Sequence, residues 1–419
     1  MGDHLHPKKK DDFDINLDFI SSLPAELLQK ILGKLPIKEA ARNSILSSKW
    51  NCSWAEIPDL VFKEDCTPSQ LARIVDMVLL AHKGPITTFE LDGEYASEEA
   101  INSWVAILSQ NAVKNLHLRF DIFEDCKIPP SIFSCHKLEQ LDISECCIDA
   151  PECFEGLKLL RNLSISNCYL WGITIEKLVS SCPLLQNLTL SYIFEHDNIV
   201  IHGPNLRRLN ILGRFTHLSL EAPKLISASI FRDCIPLFGY QPFGLANDGS
   251  KSKILCALGQ LSDIENLEIG SMFCAYLASG PIPKKLPVIF HHLKRIVIHL
   301  YGRTKEEVEV ALCIFRNAPN VRTLYLRVPS QNIWEEQRIR TMSLFKHLQE
   351  VKILGFNDVV SMLGFAKFIL STAPVLEKLV IDEDDVSGLE DSLAFVMKLA
   401  SFSRLSSKAV IVFDRKPSN

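Results

Sequence analysis

A six-residue pattern, apolar-x-x-apolar-x-apolar, recurs along the chain and constrains its fold more than any other feature. It begins at Ile86 (ITTFEL), Val113 (VKNLHL), Leu138 (LEQLDI), Leu160 (LRNLSI), Leu185 (LQNLTL), Leu206 (LRRLNI), Leu225 (LISASI), Ile264 (IENLEI), Leu293 (LKRIVI), Val321 (VRTLYL), Leu348 (LQEVKI) and Leu376 (LEKLVI). Successive starts lie 27, 25, 22, 25, 21, 19, 39, 29, 28, 27 and 28 residues apart. The last two apolar residues of a unit alternate with polar ones, as in a strand buried on one face. One such strand cannot bury its apolar face alone. Units stacked side by side form a parallel sheet with a continuous core behind it, which is a solenoid.

Leu138-x-x-Leu141-x-Ile143-x-x-Cys146 and Leu160-x-x-Leu163-x-Ile165-x-x-Cys168 extend the pattern to the longer signature of a leucine-rich repeat. The expected fold is therefore α/β, with a curved parallel sheet inside and helices and loops outside. Cys146 and Cys168 are read as buried turn residues. Repeats of 27–29 residues have room for an outer helix of about 10–12 residues. Segments 97–111, 304–317 and 359–372 are expected to be such helices. Repeats of 19–22 residues have room for a loop or short turn. Proline-marked turns such as Cys182-Pro183, Gly203-Pro204 and Ala373-Pro374 aim the chain into the next strand. The 39-residue step contains 238–252, rich in Gly, Pro, Asn, Asp and Ser, and reads as a loop insertion. Its Gly244-x-x-x-x-Gly249-Ser250-Lys251-Ser252 has the lysine one place too late for a phosphate loop.

Composition argues against several function classes. A net charge of -5 and a pI near 6.2 give no global nucleic-acid footprint. The 13 cysteines are scattered with no CxxC pair, so no zinc site or other metal is expected. No apolar run approaches the roughly 18 residues that span a bilayer, so no membrane partner is expected. No signal-peptide pattern opens the chain, which points to a reducing compartment, the nucleus and/or cytoplasm. In that setting the Asn162-Leu163-Ser164 and Asn187-Leu188-Thr189 triplets are accidents of the strand pattern. His291, His292 and His299 have no carboxylate or cysteine at metal-site spacing, and no HExxH or GxSxG occurs. The expectation is a non-enzymatic protein without a cofactor.

Residues 18–54 (DFISSLPAELLQKILGKLPIKEAARNSILSSKWNCSW) break the repeat. Pro24 can open a helix, with Glu26 in its first turn. Leu27, Leu28, Ile31, Leu32 and Leu35 then form a broad apolar stripe, and Pro36 stops it. A second helix carries Ala40, Ala41, Ile45 and Leu46, and a third begins near Lys49-Trp50. A three-helix unit this short has little core of its own, so part of its apolar surface is expected to face a partner.

These residues, in this order and spacing, resemble an F-box. The resemblance implies docking onto a Skp-type adaptor and, through it, a cullin. It makes Leu23, Pro24, Leu27, Ile31, Leu35, Pro36, Ile45 and Trp50 the candidate adaptor contacts. An F-box followed by such repeats resembles the plant F-box/leucine-rich-repeat group, and residues 347–382 resemble the FBD-type ending of that group. A last strand is expected at 408–414. The expected organisation is a disordered tail over 1–17, a docking module over 18–60, a solenoid over 61–346 and FBD-like terminal repeats with a cap over 347–415.

Within each strand, the residues between apolar positions face the concave side. Early units place Asn162, Ser164, Asn187 and Thr189 there, and later ones Arg295, His299, Tyr325, Arg327 and Lys352. Arg and Tyr often dominate interface energetics. The later set is therefore the candidate target-binding surface, suited to an acidic or phosphorylated segment. The resemblance implies the substrate-recognition subunit of an SCF-type ubiquitin ligase. A repeat scaffold or decoy acting outside a ligase is the alternative.

Overall fold

A computed structural model describes residues 23–35, 37–42, 53–63, 67–93, 97–120, 126–151, 154–194, 197–233, 252–300, 304–328, 345–356, 359–382 and 392–414. Two short helices, α1 (Ala25–Leu32) and α2 (Ile37–Arg42), precede the sheet. All twelve units become strands: β2 (Thr88–Gly93), β3 (Asn115–Phe120), β5 (Gln140–Asp149), β6 (Asn162–Trp171), β7 (Asn187–Phe194), β9 (Arg208–Gly213), β11 (Ser227–Arg232), β12 (Asn266–Ile269), β13 (Arg295–His299), β14 (Thr323–Val328), β15 (Glu350–Phe356) and β16 (Lys378–Asp382). Two more strands, β1 (Asp59–Lys63) and β17 (Val410–Asp414), extend the array, and a short β4 (Lys127–Ile128) pairs with β5. The order is β1-β2-β3-β5-β6-β7-β9-β11-β12-β13-β14-β15-β16-β17, every pairing parallel.

β1 carries the same pattern, Ile57-x-x-Leu60-x-Phe62, and pairs with β2 from Asp59↔Thr88 to Lys63↔Asp92. The sheet thus begins at residue 59, across the expected module boundary at 60. β17 forms within the expected 408–414 segment.

The apolar triplet of each unit is the core. Leu138, Leu141 and Ile143 are buried, as are Leu160, Leu163 and Ile165 beside them. Burial of each such side chain contributes about 1.5–3 kcal/mol, available only once neighbouring units have stacked.

The outer layer follows repeat length. The long repeats carry α4 (Glu98–Gln110), α8 (Lys305–Arg316) and α9 (Val359–Thr372), where helices are expected. Ser97 and Thr304 cap the first two, their hydroxyls accepting from Ala100 N–H and Glu307 N–H. α3 (Pro68–Ala81) fills the repeat between β1 and β2, opened by a Thr67/Gln70 capping box. Shorter helices lie in the 25-residue repeat, α5 (Ile175–Ser180), in the 39-residue step, α6 (Lys253–Leu258), and in the 29-residue repeat, α7 (Ser271–Ala278), and α10 (Ser392–Ala400) precedes β17.

Two short repeats depart from expectation. In place of a loop or turn they hold outer strands, β8 (Asn198–His202) and β10 (His217–Glu221), paired in parallel. Ile199, Ile201, Leu218 and Leu220 are buried; Leu218 and Leu220 flank Ser219, and Ile199 and Ile201 flank a half-buried Val200. An extended segment gains about 3.3 Å per residue against 1.5 Å for a helix, so a strand spans the layer where a short chain cannot afford helical turns. Of the 238–252 insertion, only Ser252 is among the described residues.

Cys146 and Cys168 sit at a corner of the concave strands. Each follows a residue with positive φ, Glu145 (61°) and Asn167 (52°), and Tyr192 (51°) occupies the same place one strand on. That backbone turn swings the thiols into the core, where Cys146 Sγ lies 3.7 Å from Cys168 Sγ. Cys168 donates to Ser166 O at 3.1 Å. Burial pushes the Cys146 thiol well above its ordinary range, with the Cys126 and Cys168 thiols acting in the same direction. In native protein near neutral pH, a thiol reagent should modify Cys256 before any of the other described cysteines, since it alone is not buried. Cys146 and Cys168 should react only on unfolding, as read by mass spectrometry across a denaturant series.

Candidate adaptor-docking and recognition surfaces

Helix α1 divides the apolar stripe between two faces. Pro24, in extended conformation, accepts at its carbonyl from Leu27 N–H (3.0 Å) and Leu28 N–H (3.2 Å), which starts the helix. Glu26 lies in the first turn and Lys30 in the last, both favourable to the helix dipole. Leu28 and Leu32 are buried in the core together with Ile37, Ala40 and Ile57. Leu27 and Ile31, one turn apart, remain 45% and 43% exposed. Leu23 and Leu35 pack partly against the core and Pro24 is exposed. Gln29 Nε2 donates to Glu56 Oε2 at 2.9 Å, tying α1 to the 3-10 turn Trp54–Glu56 that leads into β1. Pro36, Ile45 and Trp50 lie outside the described residues.

The second candidate surface is the concave face of β11–β17. Arg295, Thr323 and Glu350 share one register level, Val297, Tyr325 and Lys352 the next, and His299 and Arg327 a third. The five candidate residues thus lie on three consecutive strands spaced about 4.8 Å apart. Carboxylates interleave with them. Lys352 Nζ is 2.6 Å from Asp414, the Tyr325 hydroxyl donates to Glu350 at 3.2 Å, and His299 Nε2 is 3.7 Å from Glu268. The Arg295 guanidinium lies 4.9 Å from the centre of the Tyr325 ring, a cation–π contact between neighbouring strands. Burial lowers the His299 pKa, with Arg327 acting in the same direction and Glu268 opposing.

Sequence reasoning saw Glu350 as an acidic residue diluting the patch, but missed Glu268, Asp414 and one aromatic residue. Glu268, Glu350 and Asp414 each occupy an outward strand position, but their proximity to the cations depends on register between repeats. Phe231 follows the last residue of its unit, and its ring reaches His299 at 5.6 Å between centroids. Gly270, on the strand level between them, leaves the room. A Cβ there would lie 2.5 Å from the Phe231 ring.

On the earlier strands one register row, Thr88, Asn115, Gln140, Asn162 and Asn187, is uncharged, while the next rows carry Lys63, Glu90, Asp92, His117, Arg119 and Asp142. Asn187 Nδ2 donates to Asn162 Oδ1, and Asn115 Nδ2 to Thr88 Oγ1 at 3.1 Å. Asn162 and Asn187 of the two glycosylation-like triplets are thus cross-strand rungs of the concave face. Among the described residues no cluster of three or more His, Cys, Asp or Glu side chains could hold a metal ion. No described helix is long and apolar enough to cross a membrane.

Three family models match the chain. One for the F-box domain covers residues 20–59, one described as the LRR repeats of FBD-associated F-box protein At5g56370 covers 101–326, and one for FBD covers 342–381. F-box/FBD/LRR-repeat protein At1g13570 of Arabidopsis thaliana is 32% identical over 94% of this chain and 98% of its own length. The chain belongs to the F-box/FBD/LRR-repeat family. F-box/LRR-repeat protein At5g02910 of the same plant is 33% identical over 92% of this chain and 93% of its own. In this F-box/FBD/LRR-repeat chain, α1 and α2 lie inside the F-box match, β5–β13 inside the repeat match, and β15 and α9 inside the FBD match. None of the three models describes a catalytic family, and the F-box points to a substrate-adaptor role.

The two faces of α1 should separate in mutagenesis. Leu28→Ala should destabilise the protein by about 2–4 kcal/mol through transfer and cavity terms, whereas Leu27→Ala should stay within about 0.5 kcal/mol. Denaturant unfolding of both variants, monitored by circular dichroism, checks the contrast.

Proposed function

We propose that the protein is the substrate-recognition subunit of an SCF-type (Skp–cullin–F-box) E3 ubiquitin ligase. Residues 18–60 dock on the Skp-type adaptor, and through it the cullin. Residues 61–346, with the FBD-like 347–415, capture a target protein. The observation that carries this reading is the exposed Leu27/Ile31 pair on a helix inside the F-box match, whose other face anchors the helix to the solenoid. Leu23, Pro24, Leu35, Pro36, Ile45 and Trp50 complete the proposed docking set.

The contribution to catalysis is positional. Binding a target on the solenoid converts an encounter between its lysines and a ubiquitin-loaded enzyme into an intramolecular one, raising their effective concentration. No side chain of this chain takes part in bond making.

Arg295, His299, Tyr325, Arg327 and Lys352 are the proposed target contacts. Arg295 and Arg327 are exposed and able to grip a carboxylate or phosphate with two donors each, which favours an acidic or phosphorylated segment. Glu268, Glu350 and Asp414 already engage His299, Tyr325 and Lys352, so the segment must also offer donors to those carboxylates.

Leu27→Glu with Ile31→Glu should abolish co-purification with the adaptor and leave thermal unfolding of the solenoid unchanged. Adaptor binding at wild-type strength by that double variant would sink the docking assignment, whereas a wild-type chain that binds no adaptor and still captures its target would support the scaffold or decoy reading. Replacing Arg295, Arg327 and Lys352 together by Ala should weaken target capture and flatten its salt dependence, with adaptor binding intact. The readout is affinity purification under proteasome inhibition at two ionic strengths. Capture indifferent to the triple substitution would move recognition elsewhere on the repeats.

A further inference from the structure

The concave face carries unmatched charge at two places, and the signs are opposite. On the early strands Lys63 pairs with Glu90 at 2.8 Å, and Arg119 lies 3.9 Å from Asp92. Two further carboxylates of β5, Asp142 and Glu145, line the same cavity. Among the described residues neither is within ion-pair distance of a Lys or Arg. Asp142 has His117 Nδ1 at 3.7 Å and the Ser164 hydroxyl, and Glu145 accepts from Asn167 Nδ2 at 2.6 Å. The His117 hydrogen bond holds the Asp142 carboxyl below its ordinary range, against the opposing effect of burial, so it is ionised near neutral pH.

On the later strands Lys352 is matched by Asp414, and His299 lies beside Glu268. Arg295 rests on the Tyr325 ring. Among the described residues neither Arg295 nor Arg327 has a carboxylate within ion-pair distance. Between the two places a second cavity on the same face is lined by Asn162, Asn187, Thr189, Asn210, Ser227 and Ser229. Its two charges, Arg208 and Glu268, are of opposite sign. Amide and hydroxyl side chains offer both donors and acceptors, which the backbone of a polypeptide needs where it leaves water.

We propose that the concave face takes one extended segment of the target protein lying across the strands, with a Lys- or Arg-bearing end against Asp142 and Glu145 on β5 and an acidic or phosphorylated end against Arg295 and Arg327 on β13 and β14. This rests on the proposed capture of a target by the later strands, and adds a second anchor of opposite charge. A segment running along one strand would meet one charge sign, whereas one crossing the strands meets both. A nucleic acid would suit the arginines and be repelled by the two carboxylates. β5 and β13 are six strand steps apart. At about 4.8 Å per step they are at most about 29 Å apart, which about nine residues of extended chain can span.

The test uses the full chain and a displayed library of random peptides of about 16 residues, long enough to cross the face. Enriched peptides should carry a Lys/Arg group and an Asp/Glu group roughly five to nine residues apart. A synthetic copy of the strongest binder, with a photo-crosslinker at either end, should mark β5 from its basic end and β13 or β14 from its acidic end. Asp142→Asn with Glu145→Gln keeps an accepting oxygen at each position and removes the charge. It should weaken that peptide roughly tenfold at low salt and far less at high salt, with thermal unfolding preserved. Replacing the peptide's basic residues by Gln should weaken binding as much, and the two changes together should cost no more than either alone. Acidic peptides that are lost in Arg295→Gln/Arg327→Gln but ignore the β5 substitutions would overturn this inference and leave the later-strand reading standing. So would crosslinks from both ends on the later strands. A pool indifferent to both pairs of substitutions, or no enrichment at all, overturns both.

Discussion

Lateral stacking of one strand on the next is the interaction on which everything else depends. Each repeat contributes an apolar triplet, such as Leu163 and Ile165 behind Leu160, that is buried only because its neighbours stand in register on both sides. The backbone ladder and the core form in the same step, since parallel pairing aligns the triplets. The outer layer is subordinate to it. Helices, a 3-10 turn or the β8–β10 pair fill whatever chain length remains between strands, provided they place apolar residues inward.

An array built this way has two ends that stacking leaves unsatisfied, and the chain treats them differently. At the first end, α1 and α2 lie over β1 and turn Leu28, Leu32, Ile37 and Ala40 into the core. The same helix keeps Leu27 and Ile31 outward, so one element both seals the solenoid and presents an apolar ridge. Sealing and the proposed docking therefore use two faces of a single helix, and they need not compete. At the other end, the half-buried Ile411 and Phe413 continue the core rows without a further described strand to cover them.

Along the concave face, strand register also sorts charge. Pairs such as Lys63–Glu90 (2.8 Å), Lys294–Glu265 (2.9 Å) and Lys352–Asp414 (2.6 Å) link different repeats. The first two are largely exposed and each contributes little stability. Their effect is on the field a partner meets, since alternating signs on neighbouring strands cancel the excess that a tally of cations alone suggests. The face around Arg295 and Tyr325 is thus an ordered, mixed-sign surface. Arg295 packs on one of its aromatic rings, and Gly270 leaves space for another.

Periodicity along the chain specified the twelve strands, their order, their parallel sense and the outer helices at 97–111, 304–317 and 359–372, because a period-two apolar alternation at a steady spacing has one economical way to bury itself. It also showed that the repeat is interrupted over 18–54, where Leu-Pro and the Leu27–Leu35 stripe replace it, which is the basis of the proposed docking module. Tertiary structure decided which half of that stripe is outward, a matter of where Ile57 and Glu56 return to meet α1. It decided that NIVIH and HLSLE become paired outer strands, although the alternation of HLSLE was visible in the residues. It alone brought Glu268, Glu350 and Asp414 beside the concave cations, because these partners lie 25 to 62 residues from the side chains they meet. Sequence specifies what each repeat must bury. Which polar groups then face one another depends on the register between repeats, and that exists only once the array has closed.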